Sequence, residues 1–206
     1  MANVARGEAN TMLHLSSHSV ITPLDLYLTG IGLIAVAVAW LWDRQRAPEK
    51  TRDVMRYVVV WARYFFGVHM FMSGANYFIH WAPQMEMNHP LAGPFQHYMT
   101  EMGLFGVVKA VETLVSICLI FNLFTPIVLL LEMPISVNIF YLSVFVVADP
   151  RTLWTGPREV ALNLFLLAAY GGYFLPMLRP FVPQKPLWKS GALEADAPAP
   201  APSTVH

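Results

Sequence analysis

The sequence predicts an all-α integral membrane protein of five transmembrane helices, and three observations carry that prediction. Only 13% of the 206 residues are charged, while 56% are hydrophobic and the mean hydropathy is +0.48. Soluble domains carry about 25% charged residues and about 45–50% apolar ones. Five stretches approach the roughly 20 apolar residues that a helix rising about 1.5 Å per residue needs to cross a core about 30 Å thick. Their apolar runs are continuous, whereas a transmembrane β-barrel requires alternation in short segments.

The first stretch, 24–42, carries one charge, Asp25, at its start. The residues before it hold no apolar run of the signal-peptide kind, so it is expected to stay as the first span. The others are 57–81, 104–124, 126–147 and 159–178. The third and fourth form one apolar run broken at Asn122-Leu-Phe-Thr-Pro126. Thr125 suits a helix cap and Pro126 a first helical position, which predicts a tight helical hairpin. Trp40, Trp42, Trp61, Trp81, Trp154 and Trp188 fall near the expected span ends, where aromatic anchors sit.

This gives a polar segment 1–23, a first helix with a basic linker 24–56, a four-helix bundle 57–180 and a tail 181–206. The tail is Pro/Ala-rich from Ala192 and is expected to be largely disordered.

The 13 basic and 13 acidic residues cancel. That balance excludes a nucleic-acid binder, which needs a basic surface. The single cysteine, Cys118, excludes an internal disulfide and a Cys-clustered metal site, and reads as a small apolar residue. The positive residues outside the spans divide unevenly. Arg44, Arg46, Lys50, Arg52, Arg56, Arg179, Lys185 and Lys189 fall on one side; Arg6, Arg151 and Arg158 fall on the other. Positive-inside bias places the N-terminus outside and the C-terminus in the cytoplasm, in a plasma (inner) membrane.

Four ionisable residues besides histidine lie within the spans: Arg63, Lys109, Glu112 and Glu132. Each costs at least about 2.5 kcal/mol at the bilayer centre if unpaired. Arg63 and Glu132 come out at the same depth, roughly 9 Å from the inner boundary, which predicts an interhelical pair. Lys109 and Glu112 are three residues apart and are expected to pair on one helix face. Asn138 comes out level with Glu112, roughly 12–14 Å from the outer boundary.

The second span also carries His69, Ser73, Asn76 and His80 as one polar stripe, readable as helix-packing glue or as a conduit. Gly67 and Gly74 flatten another face for a close neighbour. Pro134 frees the carbonyl of Leu130 and marks a bend beside Glu132, readable as a packing kink or the edge of a cavity.

The 82–103 loop holds Met85, Met87, Met99 and Met102 with His89 and His97, and His80 lies close by. Thioether and imidazole suit copper, so His80, His89, His97, Met85 and Met87 are weak metal candidates; a cap over the outer end of the bundle is the alternative. His69 and His80 lie about 16 Å apart along one helix, too far to ligate one haem iron together. No haem, flavin, nucleotide or iron–sulfur motif stands out.

The motif Arg63-Tyr-Phe-Phe-Gly67 with Gly74, the run Val-Lys-Ala-Val-Glu112-Thr-Leu, the turn Asn122-Leu-Phe-Thr and Pro-Arg-Glu159-Val-Ala-Leu-Asn163 together resemble the DoxX-like family of small membrane proteins. The resemblance covers the second to fifth spans and implies a four-helix bundle, with the first span as an addition. It departs where Asn76 and Tyr77 stand in place of a lysine, and where Pro126 stands in place of an arginine. It adds Asn163 to a buried polar cluster of Arg63, His69, Ser73, Asn76, Lys109, Glu112, Glu132 and Asn138. It implies a membrane subunit of a redox or quinone-linked complex, with quinone as the compatible cofactor, and with the bilayer and other membrane subunits as partners. A non-enzymatic scaffold, built on the small-residue faces Ala35/Ala39 and Ala168/Gly172, is the second reading. A small-solute or metal transporter using the His/Asn stripe is the third.

Overall fold

The computed structural model describes residues 23–82 and 89–175. The N-terminal segment before residue 23, the tail from 176, and Met85 and Met87 lie outside the described residues. The chain falls into two units, 1–171 and 172–206. In the second, residues 172–175 form tight turns.

Among the described residues the structure is all-helical. Helix α1 spans Pro23–Arg46, α2 Val54–Ile79, α3 Ala92–Glu101, α4 Leu104–Phe121, α5 Thr125–Tyr141 and α6 Thr152–Ala169. A π-helical turn, Leu142–Val147, extends α5. Three helices are long and apolar enough to cross a membrane: Pro23–Arg46, Leu104–Phe121 and Thr125–Val147. Helices α2 and α6 fall short of that apolarity. The first carries Arg56, Arg63, His69 and Asn76, and the second carries Arg158, Glu159 and Asn163.

Helices α2, α4, α5 and α6 form a ring in which each touches the next, and α1 packs along α2. Close approach of α2 to α4 requires glycine. A Cβ on Gly74 would lie 2.8 Å from the backbone nitrogen of Thr113 and 2.9 Å from the carbonyl oxygen of Lys109. The expected flattening of α2 at Gly67 and Gly74 is therefore present, and α4 occupies it. An apolar core of Ala62, Phe66, Met70, Val115, Leu119, Val128, Leu129 and Leu166 fills the half of the ring nearest the α4–α5 turn.

Three local expectations are corrected. Thr125 does not cap α5; Phe124 holds that position at φ +49°, and the Thr125 hydroxyl donates to Asn122 Oδ1 at 3.0 Å instead. The hairpin is still tight, because Asn122 ends α4 in the left-handed conformation that asparagine tolerates. The last helix begins at Thr152, seven residues before the expected 159, because Asp149 organises its entry. Its carboxylate accepts from the backbone N–H groups of Arg151 and Thr152. Within the loop 82–103, residues Ala92–Glu101 are helical, and this helix touches α4 and the π-helical turn.

Candidate functional site

Two regions of the ring hold charge. The ends of the bundle are named here by the residues they carry, the Asp25 end and the Asn122 end.

Toward the Asp25 end the interior is acidic. Asp25, Glu112, Glu132 and Glu159 are all buried. Lys109 Nζ donates to Glu112 Oε2 at 2.7 Å, the pairing expected from their spacing, and to Ser73 Oγ at 2.8 Å. Ser73 Oγ in turn donates to the same carboxylate oxygen at 3.1 Å. Glu112 is thus held by a cation and a hydroxyl from a second helix.

A second network joins three helices. Arg158 Nη1 bonds to Asp25 Oδ1, and Arg158 Nη2 donates to Glu159 Oε1 at 2.7 Å. The ring nitrogens of His69 lie 3.2 and 3.4 Å from Arg158 Nη2, and His69 Nδ1 lies 3.4 Å from Glu159 Oε1. The guanidinium also stands over the Phe65 ring at 5.3 Å. Arg158 is therefore not one of the outer surface charges of the sequence reading. Its side chain is only 9% exposed, because the carboxylates of Asp25 on α1 and of the adjacent Glu159 draw it inward.

Glu132 is different. Both of its carboxylate oxygens are buried and neither has a hydrogen-bond partner. The expected Arg63–Glu132 pair does not form. Arg63 stands level with the α4–α5 turn on the groove described below, its guanidinium 5.5 Å from the Tyr64 ring centroid, while Glu132 lies seven residues into α5. The electrostatic neighbours of Glu132 are Glu112, Glu159 and Lys109, and Lys109 is already engaged. The sequence reading counted two buried positive and two buried negative residues. Toward the Asp25 end the structure sets four buried carboxylates against Lys109 and Arg158, with His69 beside them.

The α5–α6 seam gives this excess a direction. Asn163 Nδ2 donates to Ser136 Oγ at 3.1 Å. A Cβ on Gly156 would lie 2.4 Å from Ser143 Cβ. Both contacts step by seven residues on each helix, so one antiparallel register holds along the seam. Glu159 and Glu132 then lie one turn to either side of the Asn163–Ser136 rung, each about 6 Å from it along the axis. Oxygen atoms without a partner occur at every rung: Glu159 Oε2, Asn163 Oδ1 and both oxygens of Glu132. The seam is a polar ladder about 12 Å long, ending against the apolar core.

The α2 stripe is divided among these contacts. His69 meets Arg158, and Ser73 meets Lys109 and Glu112. Asn76 closes on the backbone of Ala82 through bonds of 3.1 and 2.8 Å. His80 ends α2 in the left-handed conformation. His89 Nδ1 accepts from the backbone N–H groups of Leu91 and Ala92, and His97 faces Glu101 at 3.3 Å on an exposed surface. Among the described residues no three His, Cys, Asp or Glu side chains converge on a point. Asn138 is exposed on α5, away from the cluster.

At the Asn122 end an open groove of about 580 Å³ lies along α1, α2 and the end of α6. At its mouth Arg56 clamps Asp43 through two bonds, 2.7 and 3.1 Å, and the Tyr57 hydroxyl adds a third at 3.2 Å. Arg63 lines its inner part, and its Nε is buried without a partner.

Arg158, Asp25 and Glu159 were not among the sequence candidates as a unit. A signal for them existed: opposite charges stand at the expected outer ends of the first and fifth spans, and Glu159 and Asn163 stand four apart on one helix face. Comparison with known proteins gives no match among family models, curated proteins or solved structures.

Proposed function

We propose that this chain is a five-span membrane subunit of a redox or quinone-linked complex, DoxX-like in its four-helix ring, whose interior takes up and passes a proton along the α5–α6 ladder. The observation that carries this reading is Glu132, a wholly buried carboxyl group with no donor and no free cation beside it. An unpaired carboxylate in such an interior costs several kcal/mol, and a proton removes most of that cost. The Asn163–Ser136 rung stands between Glu132 and Glu159, and Glu159 connects through His69 and Arg158 toward the Asp25 end. In the orientation set by the basic linker, that end faces outward. Polar groups inside a membrane bundle are expensive to keep, and proton relays are one of the roles that retain them.

The test combines two measurements on the native complex purified in mild detergent. Bound quinone is extracted and identified, and proton uptake during turnover is followed in vesicles from wild type and Glu132→Gln. The expected result is bound quinone and a loss of proton uptake of at least about tenfold in the variant. Absence of quinone together with unchanged uptake in Glu132→Gln overturns the reading.

A scaffold role is the second reading. Ala35 and Ala39, small residues of α1, line the open groove at the Asn122 end, where a neighbouring helix has room to approach. Recovery of the same membrane subunit with wild type and with Glu132→Gln, at equal turnover, favours it.

A further inference from the structure

We infer that α3 is an interfacial helix: it lies along the headgroup boundary at the Asp25 end of the bundle, with the face of Leu91, Phe95, Tyr98 and Met102 seated in lipid. The inference stands independently of the proton reading. It begins from how the side chains of α3 divide around its axis. Leu91 and Met102 flank the helix at its two ends. At 3.6 residues per turn there are three sectors. Ala92, Gln96 and Met99 form the first; Ala92 is buried and the other two are half-buried. This is the side turned to α4 and the π-helical turn, the elements that α3 touches. Leu91, Phe95, Tyr98 and Met102 form the second, about 100° around the axis from the first, and all four are exposed. His97, Thr100 and Glu101 fill the third, also exposed, and there His97 faces Glu101.

A helix resting on a protein in water needs one apolar side. This one has a second, and it covers nothing within the chain. Single exposed apolar residues are ordinary, whereas four large ones along one face of a short helix mark a contact surface.

Continuity names the occupant. Met102 ends the α3 stripe, and Leu104 begins an exposed apolar face on α4 that Val107, Leu114 and Phe121 continue. Helix α4 is long and apolar enough to cross a membrane, so this is the face that meets hydrocarbon. Met102 and Leu104 are two residues apart, at most about 7 Å, and Gly103 between them turns the chain at φ +74°. The stripe on α3 therefore extends the lipid face of α4 at the level where that span begins. The sectors fit the same place: a helix at the boundary has protein on one side and divides the rest between hydrocarbon and water.

Charge decides how it is held. Residues 91–103 contain no lysine or arginine and one carboxylate, Glu101. Attraction to anionic headgroups is therefore absent, and the helix is seated by apolar contact, with the Phe95 and Tyr98 rings at the depth where aromatic side chains anchor spans.

The experiment uses the full-length protein in vesicles of phosphatidylcholine, with and without phosphatidylglycerol. On a Cys118→Ala background, nitroxide labels are attached one at a time through Tyr98→Cys, Met102→Cys, His97→Cys and Glu101→Cys. Collisions with oxygen, which concentrates in hydrocarbon, are compared with collisions with a water-soluble nickel chelate. At positions 98 and 102 oxygen is expected to dominate, at a depth of about 5–10 Å into the boundary, equally in both kinds of vesicle. At 97 and 101 the chelate is expected to dominate. Phe95→Asp, a charge in the middle of the stripe, is expected to bring the label at 102 out to the chelate, and Phe95→Leu to leave it in place.

A chelate that reaches 98 and 102 as freely as 97 and 101 overturns the proposal. So does a seat that forms only with phosphatidylglycerol, which assigns it to headgroup charge. So do labels at 98 and 102 that neither reagent reaches, which assign the face to a second protein chain. A label at 102 that keeps its depth in Phe95→Asp shows that the stripe does not hold the helix, and overturns it as well.

Discussion

Glu112 and Glu132 are both almost fully buried, and they face the same interior from neighbouring helices. Glu112 is 2% exposed and is held by Lys109 and Ser73. Glu132 is 0% exposed and is held by nothing. The difference separates two uses of a buried acid. The first is a fastener between α2 and α4, where breaking the pair leaves a stranded charge. The second contributes no hydrogen bond that a substitution could remove, so it fastens no pair of helices.

The contrast breaks most visibly at Lys109. Lys109→Met strands Glu112 in the interior, and loss of one partner of a buried pair costs about 3–5 kcal/mol. Denaturant unfolding in detergent is expected to register that loss. The double variant Lys109→Met/Glu112→Leu is expected to recover most of it, because no charge then remains unpaired. A single variant as stable as wild type would show that the pair fastens nothing.

A steric test of the same interface comes next. Gly74→Ala places a Cβ against backbone atoms of Thr113 and Lys109, which cannot rotate away. Overpacking of that kind costs about 1–3 kcal/mol. The variant is expected to lower the thermal midpoint and to weaken the Lys109–Ser73 contact by pushing α4 away from α2. An unchanged midpoint would mean that the helices are not held at this spacing.

These features were legible because they are local or steric. An i,i+3 pair, two glycines on one face and an Asn-Pro turn each carry their geometry in their spacing. The Arg63–Glu132 expectation failed for a definable reason. Counting residues from an expected span end fixes neither the true depth, because α2 starts at Val54 and runs on past the α4–α5 turn, nor the angle about the helix axis. Gly67 packs on Leu119 and Ile120, so Arg63, one turn further on, stands level with the α4–α5 turn beside the groove, whereas Glu132 lies seven residues into α5 and faces the ring interior. The Arg158–Asp25 contact was out of reach for another reason. Its partners are 133 residues apart, and only the folded ring brings the first and last described helices together.

Glu132 itself gives the prediction of opposite sign. Glu132→Leu removes a polar group that makes no hydrogen bond, and replaces it with a side chain suited to Leu129 and the apolar core beside it. The variant is expected to gain about 1–2 kcal/mol, the reverse of the Lys109→Met result. Proton uptake is expected to fall at the same time. A loss of stability would reveal a partner for the carboxyl and would move Glu132 into the same class as Glu112.

The smallest effect is expected at Asn138, and it tests the directional argument alone. Asn138 comes out level with Glu112 by residue count, yet it stands two positions from Ser136, about 200° around the helix. Ser136 is buried in the seam and Asn138 is exposed. Asn138→Leu is therefore expected to change stability by less than about 0.5 kcal/mol and to leave proton uptake intact. Asn163→Leu, at the rung of the ladder, removes the bond to Ser136 and interrupts the path between Glu159 and Glu132. If both asparagine variants behave alike in thermal unfolding and in proton uptake, the angular placement of α5 in the ring is wrong, and the ladder with it.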